Sequence, residues 1–186
     1  MRNDITNRLV HLTKGTTTDA SKHREEAFVS FVQILRDGKL KAGDGFIRGS
    51  YKCVCFSEAP VNTLAHLLSY KDSGVFKYQP YGVMFTKEYI YEQGGRPVIY
   101  GPDSDFDLLP DDLKYRYVKF KLGGGDVDFT WEREWRLHKS ELVIDPKLVT
   151  LVVPNRDAKE VLLDEFPNTN WHCIALSDLG VDVDSL

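Results

Sequence analysis

The sequence predicts one α+β domain over residues 1–186, built on a bent, mostly antiparallel sheet with a few helices. Short strand-like segments alternate with a small number of amphipathic helical segments, as is typical of this class. No repeat, low-complexity tract or linker divides the chain. In addition, 186 residues with 42% hydrophobic content are enough to bury one sizeable core.

The first third of the chain alternates strand and helix patterns. Residues 9–13 form a short strand pattern, followed by a polar loop at 14–18. A helix is predicted over 21–37, because apolar side chains recur at helical spacing and Gly38 stands where a helix-terminating glycine belongs. A β-rich alternation at 51–57 predicts a second strand, and Pro60 begins a helix that runs to about residue 70.

The rest of the chain contains mostly strand patterns. Strands are predicted at 81–86, 97–100 and 115–122, and the three glycines at 123–125 predict a flexible joint. A continuous apolar strand at 148–153 ends at Pro154. An amphipathic helix at 158–166 and a last strand at 171–176 follow.

Two acids, Glu132 and Glu134, lie between Trp131 and Trp135. In a strand, positions i and i+2 share a face, so both carboxylates are predicted to point the same way. The tryptophans indicate partial burial, and carboxylates resist burial in a core, so the pair is expected in a cleft. The alternative is an exposed edge strand whose acids pair with Arg133 and Arg136.

Other strand ends supply further polar side chains. The first strand provides His11 and Thr13, which are two residues apart and so are expected on one face. The second strand ends in Ser57 and Glu58. An imidazole, hydroxyls and acids from separate strands can bind a sugar-phosphate cofactor and stabilise a cationic transition state.

His-x-Thr, then a serine at a strand end, then Glu-x-Glu resembles the three-part signature of the ADP-ribosyltransferase fold. The chain is similar to its small toxin and phage-defence members, the DarT-like nucleic-acid ADP-ribosyltransferases and the AbiGi-like abortive-infection proteins. The similar segments are Val10-His11-Leu12-Thr13, Ile34-Leu35-Arg36-Asp37-Gly38, Val54-Cys55-Phe56-Ser57-Glu58, Tyr81-Gly82-Val83-Met84-Phe85, Glu132-Arg133-Glu134-Trp135-Arg136 and Val152-Val153-Pro154-Asn155.

This resemblance implies NAD as the cofactor and gives a role to each matching residue. His11 would hydrogen-bond the cofactor ribose, with Thr13 supporting it, and Ser57 would shape the nicotinamide pocket and hold the acid in place. Glu134 would stabilise the oxocarbenium-like ribose as nicotinamide departs, while Glu132 would orient the acceptor.

The DarT-like pattern also includes an arginine ahead of the second motif. Arg48 is the arginine in that region of this chain, and Lys52 is the other cation there. The resemblance therefore implies that Arg48 is cofactor-binding, with Lys52 as the alternative.

The charge is uneven along the chain. The net charge is −4, yet residues 1–55 carry ten Lys and Arg against six acids. Such a basic segment is suited to phosphates of a nucleotide or polynucleotide, or else is an ordinary solvated surface. Because overall acidity suits a duplex binder poorly, single-stranded DNA or RNA is the expected nucleic-acid acceptor.

The cysteine content and the N-terminus indicate a cytoplasmic protein. Cys53, Cys55 and Cys173 are too few and odd in number for a disulfide framework, which favours a reducing compartment. No signal-peptide pattern or membrane-length apolar run is present, so no membrane partner is expected. The Cys and His residues complete no zinc-ligand spacing, so no metal site is expected.

The resemblance, taken with these observations, implies an NAD-dependent ADP-ribosyltransferase, a toxin or anti-phage effector that modifies nucleic acid, with an antitoxin protein as a candidate partner. One alternative is a catalytically inactive member of the same fold that binds a nucleotide or a partner. A second is a metal-dependent nuclease that uses Glu132 and Glu134, although the sequence lacks the further acid and lysine cluster typical of such a site.

Overall fold

The computed structural model describes residues 6–15, 19–45, 47–58, 60–72, 75–123 and 127–183. Part of the loop expected at 14–18 and part of the glycine joint expected at 123–125 lie outside these residues. The helices are α1 (Ala20–Asp37), α2 (Val61–Ser69), α3 (Lys87–Glu92) and α4 (Arg156–Glu165).

The strands are β1 (Arg8–Leu12), β2 (Lys39–Lys41), β3 (Val54–Ser57), β4 (Lys71–Asp72), β5 (Val75–Phe76), β6 (Gly82–Thr86), β7 (Arg96–Pro97), β8 (Ile99–Gly101), β9 (Tyr117–Lys119), β10 (Glu134–Leu137), β11 (Glu141–Val143), β12 (Thr150–Val153) and β13 (His172–Ala175). Seven of them form one sheet in the order β13-β12-β6-β1-β3-β10-β7. Within this sheet only β12 and β13 pair in parallel. The predicted α+β class with a mostly antiparallel sheet is therefore confirmed.

Two apolar clusters cover the two faces of the sheet, because strand side chains alternate between faces. Leu9 and Phe85 belong to the larger cluster, together with Phe31 of α1 and Leu162 of α4. Val10 and Met84, the neighbours of those strand residues, belong to the second cluster with Leu64, Leu67 and Leu68 of α2. Burying one such phenylalanine or leucine contributes roughly 1.5–3 kcal/mol.

β1 is paired unequally on its two sides. It pairs with β6 from Arg8 to Leu12, but with β3 only at Val10 and Ser57. Past that point the two strands no longer share a ladder. The end of the β1–β3 ladder is therefore a natural place for a cleft within the sheet.

The prediction that Glu132 and Glu134 share one strand face is wrong. Residues Thr130–Glu132 form a 3₁₀ helix, Arg133 has a left-handed backbone with φ of 46°, and β10 begins only at Glu134. Backbone hydrogen bonds from Glu132 N to Phe129 O (3.0 Å) and from Arg133 N to Thr130 O (3.1 Å) close this turn. Trp131 and Trp135 are four residues apart, as on one face of a strand, so the sequence contained no indication of this turn.

Other element predictions need smaller corrections. The strand expected at 97–100 is divided between β7 and β8, and the strand expected at 115–122 is shortened to β9 by a preceding 3₁₀ helix, Lys114–Arg116. α3 was not predicted, because its six residues are too short to show helical periodicity. Within the part of the chain that the structure describes, no helix is long and apolar enough to cross a membrane.

Candidate functional site

A cleft of about 520 Å³ opens where the β1–β3 ladder ends. Its lining includes His11, Ser57, Glu132, Glu134 and Arg48, so five of the six predicted site residues lie on one cavity. Among the described residues, the whole lining includes five lysine and arginine side chains and three acids. This excess of basic side chains is suited to an anionic ligand.

Three neighbouring strands bring the predicted motifs together. Ser57 on β3 pairs in register with Val10 of β1 on one side and with Glu134 of β10 on the other. Because directly opposed residues of an antiparallel pair lie on one face, the side chains of Ser57 and Glu134 are neighbours. His11 follows Val10 at the point where the ladder ends.

His11 is held as a neutral hydrogen-bond acceptor. Its Nδ1 lies 2.8 Å from the carbonyl oxygen of Cys55, and a carbonyl can only accept, so Nδ1 carries the proton. Burial lowers the pKa of His11 and outweighs this hydrogen bond, and nearby Lys14 lowers it further. Nε2 of the neutral ring is therefore an acceptor, suited to a ribose hydroxyl.

Glu134 is held by a buried guanidinium group. Arg136 Nε donates to Glu134 Oε1 at 2.9 Å and Nη2 donates to Oε2 at 3.1 Å. Arg136 is only 4% exposed, and its Nη1 donates to the carbonyl oxygens of Tyr115 and Tyr117. Although burial opposes the charge, the Glu134 carboxylate raises the pKa of Arg136. This arrangement orients the carboxylate, and Glu134 lines the cleft.

Glu132 is held by a different set of partners. Lys77 Nζ lies 2.5 Å from Oε1, and the Tyr78 hydroxyl donates to Oε2 at 2.9 Å. Burial and the adjacent Glu132 carboxylate raise the pKa of Tyr78 well above its usual range. Ser57 Oγ donates to the Glu132 backbone carbonyl at 2.6 Å. Ser57 therefore ties β3 to the turn that carries both acids.

Thr13 lies behind the cleft and is not part of its lining. It follows the end of β1, is 4% exposed, and its Oγ1 donates to the Tyr81 carbonyl oxygen at 3.0 Å. Its backbone N–H donates to the same carbonyl at 2.8 Å. These contacts hold the end of β1 in place, which is a supporting position rather than a ligand-contacting one.

Arg48 lines the cleft next to Asp103. Its guanidinium stacks over the Phe106 ring at 4.2 Å from the ring centre and lies 3.1 Å from Asp103 Oδ1. Lys119 pairs with the other carboxylate oxygen of Asp103 at 2.5 Å. Lys52, the alternative to Arg48, is exposed and is not among the lining residues.

Sequence reasoning missed the partners of the acids. Lys77 and Tyr78 lie 55 and 54 residues away from Glu132, and their segment showed no motif. Arg136 was expected to pair or pack, and its spacing of two from Glu134 was the available signal. Cys55 also lies on the cleft, where burial and Glu134 raise the pKa of its thiol.

Within the described part of the chain, no group of three or more His, Cys, Asp or Glu side chains is arranged to hold a metal ion. The chain matches no protein-family model, no curated protein and no solved structure. Its function is therefore inferred from the residues of the cleft.

Proposed function

We propose that this protein transfers ADP-ribose from NAD to a nucleic-acid acceptor, single-stranded DNA or RNA, as a toxin or anti-phage effector. The observation that supports this most is that Glu134, Ser57 and His11 lie on three adjacent strands and line one cleft. A carboxylate, a hydroxyl and a neutral imidazole are the groups that a ribosyl-transfer site needs.

In this reaction Glu134 and Glu132 would have separate roles. The bond between ribose C1′ and the nicotinamide nitrogen breaks, its electron pair leaves with nicotinamide, and positive charge develops on the ribose. The Glu134 carboxylate stabilises that charge, as carboxylates do in glycoside hydrolysis. The acceptor then forms a bond to C1′ and releases its proton, while Glu132 orients the acceptor.

The remaining lining residues suit the rest of NAD. His11 Nε2 accepts a hydrogen bond from a ribose hydroxyl. Arg48 and Lys119 both pair with Asp103. The diphosphate of NAD could replace Asp103 as their partner, because all three side chains are exposed and exposed ion pairs exchange partners at little cost. The apolar side chains of Val10, Leu12 and Phe56 give a ring a dry surface.

Two measurements test this proposal. Calorimetry with NAD in the presence of EDTA should show saturable binding that does not depend on a divalent metal. Incubation with NAD and total RNA, DNA or protein should release nicotinamide and leave an ADP-ribose adduct detectable by mass spectrometry. Absence of NAD binding, or binding that needs magnesium or zinc, would contradict the proposal.

One observation favours a second candidate, a non-catalytic nucleotide-binding protein of the same fold. Both cleft acids already have cationic partners, Lys77 for Glu132 and Arg136 for Glu134. Compensated carboxylates stabilise a developing cation less than free ones do. NAD binding without any nicotinamide release, at any acceptor concentration, would identify this second function.

A further inference from the structure

Two lysines of the cleft lining contact the same tyrosine ring. Lys14 Nζ is 4.9 Å from the centre of the Tyr78 ring, and Lys77 Nζ is 5.2 Å from the same centre. Lys77 has a carboxylate partner in Glu132, at 2.5 Å. Among the residues that the structure describes, Lys14 has no carboxylate within 4 Å, so one of the two positive charges is not compensated.

The other cations of the lining differ from Lys14 in this respect. Arg48 and Lys119 both pair with Asp103, and Arg136 pairs with Glu134. Although Lys14 is exposed, partial desolvation at the cleft and the nearby Lys77 lower its pKa, while Glu132 acts in the opposite direction. The two ammonium groups therefore repel each other, and an anion within reach of both would lower that repulsion.

We propose that Lys14 and Lys77 bind a phosphate group, and that this site lies at the Glu132 end of the cleft. Lys77 pairs with Glu132 and lies over three aromatic rings, and Lys14 makes no ion pair with the described residues. Each ammonium has three N–H donors, so a phosphate with several acceptor oxygens can accept from both lysines. Such a phosphate belongs either to the diphosphate of NAD or to a phosphodiester of the second substrate. The site itself does not depend on the proposed transfer reaction.

Inorganic phosphate is the direct probe. It is titrated by NMR at constant ionic strength set with chloride, against the wild type, Lys14→Gln and Lys147→Gln. Lys14→Gln removes charge without leaving a carboxylate unpaired, and Lys147 is an exposed lysine outside the lining. Lys14→Gln should weaken phosphate binding at least fivefold, while Lys147→Gln should leave it unchanged. Equal binding by all three proteins, or no saturable binding, would overturn the site.

NAD and a short oligothymidylate then distinguish the two sources of phosphate. If Lys14→Gln weakens NAD binding, the site holds the cofactor diphosphate, and if it weakens only the oligonucleotide, the site holds a phosphodiester. If Lys14→Gln weakens the binding of neither NAD nor the oligonucleotide, the proposed site is wrong. None of these titrations measures turnover, so an absence of nicotinamide release would defeat the transfer reaction while leaving the phosphate site standing.

Discussion

At the scale of single residues, Glu132 and Glu134 differ in their partners, and this difference supports different roles for them in the proposed transfer. Glu134 is held by the rigid, buried Arg136, and Glu132 by the more exposed Lys77 and by Tyr78. Of the two, Glu134 is directly opposite Ser57 on the strand next to β1. These contacts favour Glu134 as the residue beside the ribosyl cation.

Glu134→Gln keeps the shape of the side chain but removes its charge. The rate of nicotinamide release should therefore fall by roughly a hundredfold, the usual effect of losing one preorganised electrostatic group. The Kd for NAD should change little, because the ground state carries less positive charge on the ribose than the transition state does. Glu141→Gln, at an exposed acid paired with Lys39, is the matched control and should keep full activity.

Glu132→Gln should reduce transfer to the acceptor more than hydrolysis of NAD, as compared by adduct formation and nicotinamide release. It should also lower the free energy of unfolding by roughly 1–3 kcal/mol, because Lys77 then lacks its charged partner. Urea unfolding measures this loss. Full activity in Glu134→Gln together with none in Glu132→Gln would reverse the two assignments.

His11 should make stability depend on pH. Burial lowers its pKa in the folded state, whereas in the unfolded chain the pKa is about 6.5. The unfolded state therefore binds more protons below pH 6.5, and the free energy of unfolding should decrease as pH falls through that value. Urea unfolding at pH 7.5 and pH 5.5 should show a smaller difference for His11→Gln than for the wild type. An equal difference in both proteins would contradict a half-buried His11 that stays neutral in the folded state.

At the scale of elements, the turn before β10 decides where both acids point. The left-handed Arg133 lies between them, and its carbonyl oxygen accepts a hydrogen bond from Glu58 N at 3.1 Å. Ser57 Oγ holds the neighbouring carbonyl of Glu132. The end of β3 thus fixes the turn, and the turn brings two acids to one cleft without a shared strand face.

Arg133 offers a direct test of this turn. Glycine adopts a positive φ at no steric cost, whereas a β-branched residue is strained there by roughly 1–2 kcal/mol. Arg133→Gly should therefore keep nicotinamide release close to that of the wild type. Arg133→Val should lose stability in urea unfolding and also lose activity. If both variants are equally active and stable, the left-handed turn is not needed for the site.

At the scale of the whole molecule, much of the basic charge of the N-terminal third is paired internally. Lys39 pairs with Glu141, Lys41 with Asp37, Lys22 with Asp19 and Arg48 with Asp103. Among the described residues, these pairs lower the net positive charge of this surface without removing its cations, because exposed ion pairs exchange partners at little cost. Phosphate contacts by a single-stranded acceptor should be correspondingly few.

The salt dependence of binding tests this conclusion. With about two phosphate contacts, the logarithm of affinity for a single-stranded oligonucleotide should fall with the logarithm of salt at a slope of about −1.4. Lys14→Gln should reduce the slope by about 0.7, and Lys39→Gln should leave it unchanged because Lys39 is paired with Glu141. Fluorescence anisotropy at several salt concentrations measures the slope. A steep slope that depends on Lys39 would instead indicate a broad basic face.

The sequence by itself determined the class of the fold and most of its regular elements. Hydrophobic period fixes which segments are helices and strands, so α1, β3, β6, β12 and α4 were all predicted near their observed bounds. The sequence also indicated that His11, Ser57, Glu132 and Glu134 belong to one site, because an imidazole, a hydroxyl and carboxylates stood at or near the ends of predicted strands. These features are local, so a single sequence can show them.

Only the tertiary structure decided how those residues are held. The order β1-β3-β10, the Lys77 and Tyr78 contacts with Glu132, and the position of Thr13 behind the cleft all depend on segments that are distant along the chain. The left-handed turn at Arg133 also departs from the strand pattern that its neighbours favour. Pairing between distant segments depends on the packing of the whole domain, which local pattern and propensity do not encode.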